Sequence, residues 1–311
     1  MDLVTQNGSG GRRKPGILPV EVREHEAVDS SPRRRIVYEV QQRFRYRYAA
    51  PIWNLRQRLV VVPRPVHGEQ RLLSHRLEVS QARLRKRTRA DRFGNVVLGI
   101  SIPKVEEIVD FDVSLFVERL SGQGPHLETA TRQALNVYLL PSALTRPDGA
   151  LRAAATELAH SGENGSDLAR AVAGWVYRRM SYCFDRTGVH TTAGQALAGG
   201  HGVCQDYAHV MLALCRLLGI PARYVSGHLV GEGGTHAWVE VLQPVTDQAV
   251  QILAWDPTHN RPADLRYLTV AVGRDYRDVA PVSGTYCAPH QGWLSASGRV
   301  RVAQVDHEIA S

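Results

Sequence analysis

The chain has 311 residues, 43% of them apolar and 22% charged, a balance that suits a globular protein of about two domains. No apolar run reaches the roughly 18–20 residues that cross a bilayer as a helix, and the first 35 residues lack the apolar core of a secretory signal. A cytoplasmic location with no membrane partner is therefore expected.

Four cysteines, at positions 183, 204, 215 and 287, have no regular spacing and form no CxxC pair. Free thiols are expected, not a disulfide framework or a structural zinc site, and no metal or other cofactor is implied. The net charge of +8 is uneven: residues 36–92 hold 14 basic and 4 acidic groups, whereas residues 93–311 hold 17 and 21. The N-terminal half could thus recruit an acidic partner.

Residues 1–35 are rich in Gly, Pro, Ser, Glu and Arg without a sustained apolar period, which predicts a disordered basic tail. From Tyr38 to Tyr48 aromatic and apolar residues alternate with Glu39, Gln41, Arg43, Arg45 and Arg47. That period of two marks a half-buried strand with an arginine face. Further strands are expected at 59–62, 71–79, 96–102 and 108–117, with Phe93-Gly94-Asn95 as a turn. Residues 36–118 therefore read as an antiparallel β domain. Residues 119–145 carry no clear pattern, and 119–311 are assigned as a second, catalytic domain.

Two helices are expected at 148–160 and 166–180, then a loop holding Thr191, Thr192 and Gly194. Later strands are expected at 222–230, 236–242, 250–256, 269–272 and 300–305.

The most informative stretch runs from Gly199-Gly200-His201-Gly202-Val203 into Cys204. The glycines permit a sharp turn and close approach of a substrate. A helix over 204–218 follows, ended by Gly219 and Pro221. Cys204 then sits in the first turn, where free backbone N–H groups and the helix dipole favour a thiolate and can hold an oxyanion. Asp206 is expected to point away from the sulfur. Cys215 reads as a packing residue, and His209 as a structural residue with a buried hydrogen bond.

His236 opens a strand after the Gly231-Glu232-Gly233-Gly234 loop, and Asp256 ends the next strand. A hairpin turn centred on Thr246 would set His236 directly opposite Asp256. A carboxylate there orients one ring nitrogen while the other faces a nucleophile. Trp238 and Glu240 share the His236 face, and Trp238 either walls the cleft or packs in the core.

These residues resemble the transglutaminase-like superfamily. The likeness is carried by Cys204-Gln205-Asp206-Tyr207-Ala208-His209, by the 219–227 stretch, by His236-Ala237-Trp238-Val239-Glu240-Val241 and by Asp256-Pro257-Thr258. It is closest to bacterial members with a β-rich N-terminal region, and Tyr46-Arg47-Tyr48, 91–95 and 272–279 look like further pieces of that pattern.

The resemblance implies an α+β fold, an N-terminal antiparallel β domain followed by a papain-like transglutaminase core. It implies Cys204 as nucleophile, His236 as general base and acid, and Asp256 as its orienting acid. The expected chemistry is acyl transfer on a protein or peptide amide through a thioester, ending in hydrolysis or transamidation. The alternatives are a cysteine peptidase or amidase without cross-linking activity, and a non-catalytic interaction scaffold.

One oxyanion donor would be the Cys204 backbone N–H. The second is expected from Tyr182, with Trp175 and His201 as weaker candidates. Nucleic-acid binding is disfavoured, because the aromatics at 44–48 face away from the arginines between them and offer no joint stacking surface.

Overall fold

A computed structural model describes residues 3–6, 34–121 and 125–307. The disordered tail expected over 1–35 falls mostly outside the described residues.

The N-terminal half, together with two C-terminal strands, forms two five-stranded antiparallel sheets. The first is ordered Gly292–His307, Arg34–Tyr48, Ile108–Leu120, Gln70–Val79 and Val66–His67. The second is ordered Leu3–Gln6, Val282–Cys287, Ile52–Val62, Val96–Val105 and Arg85–Ala90. The alternation at 38–48 has the expected consequence. Tyr38, Val40, Phe44, Tyr46 and Tyr48 turn inward and bury with Leu55, Leu59, Leu98, Ile100 and Phe111. Arg43 and Arg45 turn outward and pair with Asp112 and Asp110 of the neighbouring strand.

The second half joins helices to an antiparallel sheet, so the fold is α+β. Strand order is Arg261–Pro262, Ala249–Asp256, His236–Pro244, Ala222–Leu229 and Tyr267–Gly273. Helix Cys204–Leu217 lies against this sheet, and every residue from Gln205 to Arg216 is buried. Helices Gly149–Ala159 and Gly165–Arg179 enclose its other side. Full burial of a helix needs apolar residues around most of its girth, and Val210, Met211, Leu212, Ala213, Leu214 and Cys215 supply them.

Several elements differ from the sequence expectation. Residues 119–145 contain helix Arg132–Leu139. The loop at 191–194 is the start of helix Ala193–Gly199, which Thr192 caps with a capping box through Gln195. The second domain does not run to the C-terminus. Val282–Cys287 pairs with Ile52–Val62, and Gly292–His307 pairs with Arg34–Tyr48. The chain thus returns to the β domain, and a sheet partner this remote in sequence leaves no local signal.

The two halves share one packed structure. Val60 and Val97, on the outer face of the second sheet, bury in the core of the second half. Asn95 bonds both backbone groups of Val272, and Gln70 bonds both of Thr269.

Candidate active site

Cys204 starts its helix after a constrained approach. Gly200 adopts φ 65°, in the left-handed region, and a Cβ on Gly202 would lie 2.6 Å from that of Asp206. Both positions suit only glycine. Asp206 turns back onto the helix start: its Oδ2 accepts from the Val203 N–H at 2.8 Å and from the Thr187 hydroxyl at 2.6 Å. Burial raises its pKa, against the effect of those two bonds. Gln205 Nε2 donates to the Gly188 carbonyl at 3.2 Å. The Thr187–Gly188 turn is thus fastened to the residues flanking Cys204.

His236 is 2% exposed and Asp256 is fully buried. Nε2 of His236 lies 2.8 Å from Oδ2 of Asp256. The strand register differs from the one expected. Val239 opposes Trp255 and Glu240 opposes Ala254, which centres the turn on residue 247, not Thr246. His236 and Asp256 are therefore diagonal, not directly opposed. A shift by one residue of the turn centre moves the pairing by two, so both side chains keep the same face, and a diagonal pair is within reach of a long or aromatic side chain.

On the remaining side of the imidazole, Oε2 of Glu232 lies 3.1 Å from Nδ1, and Cys204 is near enough to act on the ring's protonation. Burial opposes a charge on His236, but Asp256, Cys204 and Glu232 beside it outweigh that and hold the ring's pKa far above its ordinary value. Burial likewise opposes the Asp256 charge, and the two histidines beside it reverse that, holding the carboxyl well below the usual range.

Three residues of this site have no place in the sequence expectation. His259 Nδ1 lies 2.6 Å from Asp256 Oδ2, and its Nε2 lies 3.2 Å from Glu232 Oε1. Its pKa is raised to about 9 by those two carboxylates, against a smaller effect of burial. Tyr267 donates its hydroxyl to Asp256 Oδ2 at 2.8 Å. Glu232 is lowered to about 2, burial being overcome by the two histidines. His236, Asp256, His259 and Glu232 thus form a closed ring of alternating charge.

The ligand atoms of His236, Asp256 and His259 lie within 4.8 Å of one another, close enough for a metal ion. Here each is engaged by another member of the set.

The other expected residues are placed as follows. Trp238 is 1% exposed and stacks beside His236, with ring centroids 6.2 Å apart; it is a core residue that backs the imidazole. Glu240 turns into a buried network, accepting from Arg223 Nε at 2.7 Å and meeting His67 Nε2 at 2.7 Å.

His209 is fully buried and accepts from the Tyr276 N–H at 3.2 Å; burial lowers its pKa to about 4. Cys215 is buried, its thiol pushed up to about 12 by that burial. Trp175 donates its ring N–H to Glu157, which spends it elsewhere. Tyr182 is 47% exposed and belongs to a two-residue strand paired in parallel with His201–Gly202, just before Cys204. Burial, and then the neighbouring Cys204 and Glu232, raise its pKa.

Two family descriptions match the chain: the transglutaminase-like superfamily over residues 152–249 and the bacterial transglutaminase-like N-terminal region over residues 38–118. The chain belongs to the transglutaminase-like superfamily.

An uncharacterised protein of Mycobacterium leprae is 32% identical over 217 residues, 63% of this chain and 74% of that one. An uncharacterised protein of Mycobacterium tuberculosis is 28% identical over 279 residues, 79% of this chain and 86% of that one. The crystal structure of a candidate cysteine protease from Cytophaga hutchinsonii superposes with a TM-score of 0.70 at 20% identity, over 88% of this chain and 93% of that one. The fold is therefore a β-rich N-terminal region joined to the superfamily's papain-like core.

Proposed function

We propose that the protein is a cysteine acyltransferase or hydrolase acting on protein or peptide amides, with Cys204, His236 and Asp256 as its catalytic triad. The observation that carries this reading is the imidazole of His236, held by Asp256 on one nitrogen and facing Glu232 with the other, with Cys204 close beside the ring.

In this mechanism the Cys204 thiolate attacks the amide carbonyl, forming the S–C bond. The oxyanion rests on the Cys204 backbone N–H and the Tyr182 hydroxyl. The C–N bond then breaks as His236 gives its proton to the departing amine, leaving a thioester. Water or a second amine attacks the thioester while His236 takes its proton, and the thiolate is regenerated. Attack by water gives hydrolysis; attack by an amine gives transamidation. Asp256 holds the ring orientation and offsets its charge through both steps.

The same reading places the protein in the cytoplasm. It is supported by four cysteines that are all free, as a reducing compartment keeps them, and among the described residues no helix is long and apolar enough to cross a membrane.

The test is to follow amide cleavage or amine exchange on a peptide library with the wild type and with Cys204→Ala. Turnover that disappears in the variant supports the reading; turnover that persists assigns the chemistry elsewhere, and an effect of the protein that needs no Cys204 favours a scaffold.

A further inference from the structure

The second β sheet carries an arginine patch that the mechanism does not use. Its register places Arg56 opposite Ser101 and Ser101 opposite Arg85; Arg58 opposes Gly99 and Gly99 opposes Arg87. Directly opposed residues share a face, so the four arginines stand at the corners of a rectangle of about 7 Å by 10 Å, given i,i+2 spacing along a strand and two inter-strand steps across it. Only Ser101 and Gly99 lie between them.

Beside this patch a cavity of about 370 Å³ is lined by Arg56, Arg58, His190, Arg277, Ser283 and Thr285, among others. Val189 and His190, which also line it, follow directly on the turn that Gln205 and Thr187 fasten to the helix start of Cys204.

Most of the charge here is not neutralised. Among the described residues Arg56, Arg85, Arg87 and Arg277 make no ion pair. Arg58 reaches Asp91 at 3.8 Å and the Asp278 carbonyl at 3.0 Å. Asp278 is paired with Arg274, and Asp91, which also anchors the Phe93-Gly94-Asn95 turn, offsets Arg58 in part. The contrast is with Arg43 and Arg45 on the other sheet, each paired with an aspartate.

Arg85–Ala90 is an edge strand, and charged side chains on an edge guard against unwanted pairing. That role does not extend to Arg56 and Arg277, which lie off the edge and line the cavity. The rows between the arginines hold no aromatic ring on which a base could stack, and single-stranded nucleic acid relies on such rings.

We propose that this patch and cavity bind an extended, acidic segment of the substrate polypeptide and hold it beside the loop that flanks Cys204. Alternate side chains of an extended chain share one side and repeat at about 7 Å, the spacing of the arginines along each strand. Guanidinium groups pair with carboxylates in bidentate fashion, and Ser283 and Thr285 add hydroxyls. The substrate role rests on the function proposed above; binding itself does not.

The test measures fluorescence anisotropy of a labelled peptide of five Glu-Thr repeats with the full chain, beside a Gln-Thr peptide and a DNA duplex. The Glu-Thr peptide is expected to bind, more weakly as salt rises, and the Gln-Thr peptide not. Arg56→Gln with Arg277→Gln is expected to weaken binding tenfold or more, while Arg43→Gln with Arg45→Gln changes it less than twofold. Arg56→Lys with Arg277→Lys keeps the charge but not the bidentate fork, and its affinity should fall between the wild type and the Gln pair, which separates loss of charge from loss of fold.

Equal losses in both Gln pairs would reduce the effect to net charge and overturn the proposal, as would an unchanged Arg56/Arg277 variant. Tighter binding of DNA than of the Glu peptide would assign the patch to nucleic acid instead. Because anisotropy requires no turnover, a failure of the catalytic reading leaves this result standing, and the reverse also holds.

Discussion

His259 and His236 reach the same oxygen of Asp256, Oδ2, at 2.6 and 2.8 Å. A single carboxylate oxygen therefore serves two imidazoles, and the Tyr267 hydroxyl is a third donor to it. Glu232 closes the ring from the other side. The ring sets both the charge and the orientation of His236, and it makes stability depend on pH in a direction that can be worked out.

The folded pKa of His259 is about 9, above its ordinary 6.5. Its contribution is then fully present below pH 6.5 and is lost as pH rises through about 9. His259→Gln should therefore lower the melting temperature most near pH 6 and hardly at all near pH 10. The group is a third exposed, so solvent screening limits the cost to about 1 kcal/mol, a shift of about 2–4 °C for a domain of this kind. Calorimetry of both proteins across that range checks it.

Glu232 acts on the imidazole nitrogen that Asp256 leaves free. Its carboxylate favours the charged ring, so Glu232→Gln should let His236 lose its proton at lower pH than in the wild type. Histidine C–H resonances followed through a pH titration give the midpoint directly. A midpoint that stays put or rises would separate Glu232 from the control of His236.

Much of this site is legible in the sequence, and the reasons for what is not are physical. Cys204 announces itself by glycines before a helix, and His236 and Asp256 by their places at the ends of adjacent strands. The turn centre was off by one residue, yet period-two geometry preserved the shared face. His259 follows Asp256 by three residues, a spacing at which a turn brings a side chain back onto the acid, so Asp256-Pro257-Thr258-His259 held a usable signal. Tyr267 and Glu232 depend on which strands pair and how a glycine loop folds back. In the β domain the alternation at 38–48 was plain, whereas the return of 282–307 to it depends on pairing partners more than two hundred residues away.

The link between the two halves offers a third prediction. Arg223 is 3% exposed; it donates to Glu240 at 2.7 Å and in bidentate fashion to Glu128 at 2.8 Å, while His67 of the β domain meets Glu240. Removing one member leaves buried charges without a partner, which costs about 3–5 kcal/mol. Arg223→Met should therefore lower urea stability by that amount, and adding Glu240→Gln should recover part of it.

Gly227 offers a fourth. A Cβ there would lie 2.1 Å from the Leu268 carbonyl oxygen and 2.5 Å from the Trp238 ring. Trp238 backs His236, so Gly227→Ala should displace the imidazole as well as strain the sheet. Overpacking of this kind costs about 1–3 kcal/mol, and amide turnover should fall by more than the loss of folded protein explains.

The most direct test is to search for the thioester itself. The protein is quenched in acid during turnover of a peptide amide, digested, and its four cysteines are read by mass spectrometry. An acyl adduct on Cys204, lost in Cys204→Ala and diminished in His236→Ala, is the predicted result. Turnover with no adduct on Cys204, or with acyl groups spread over Cys183 and Cys287 as well, would contradict it.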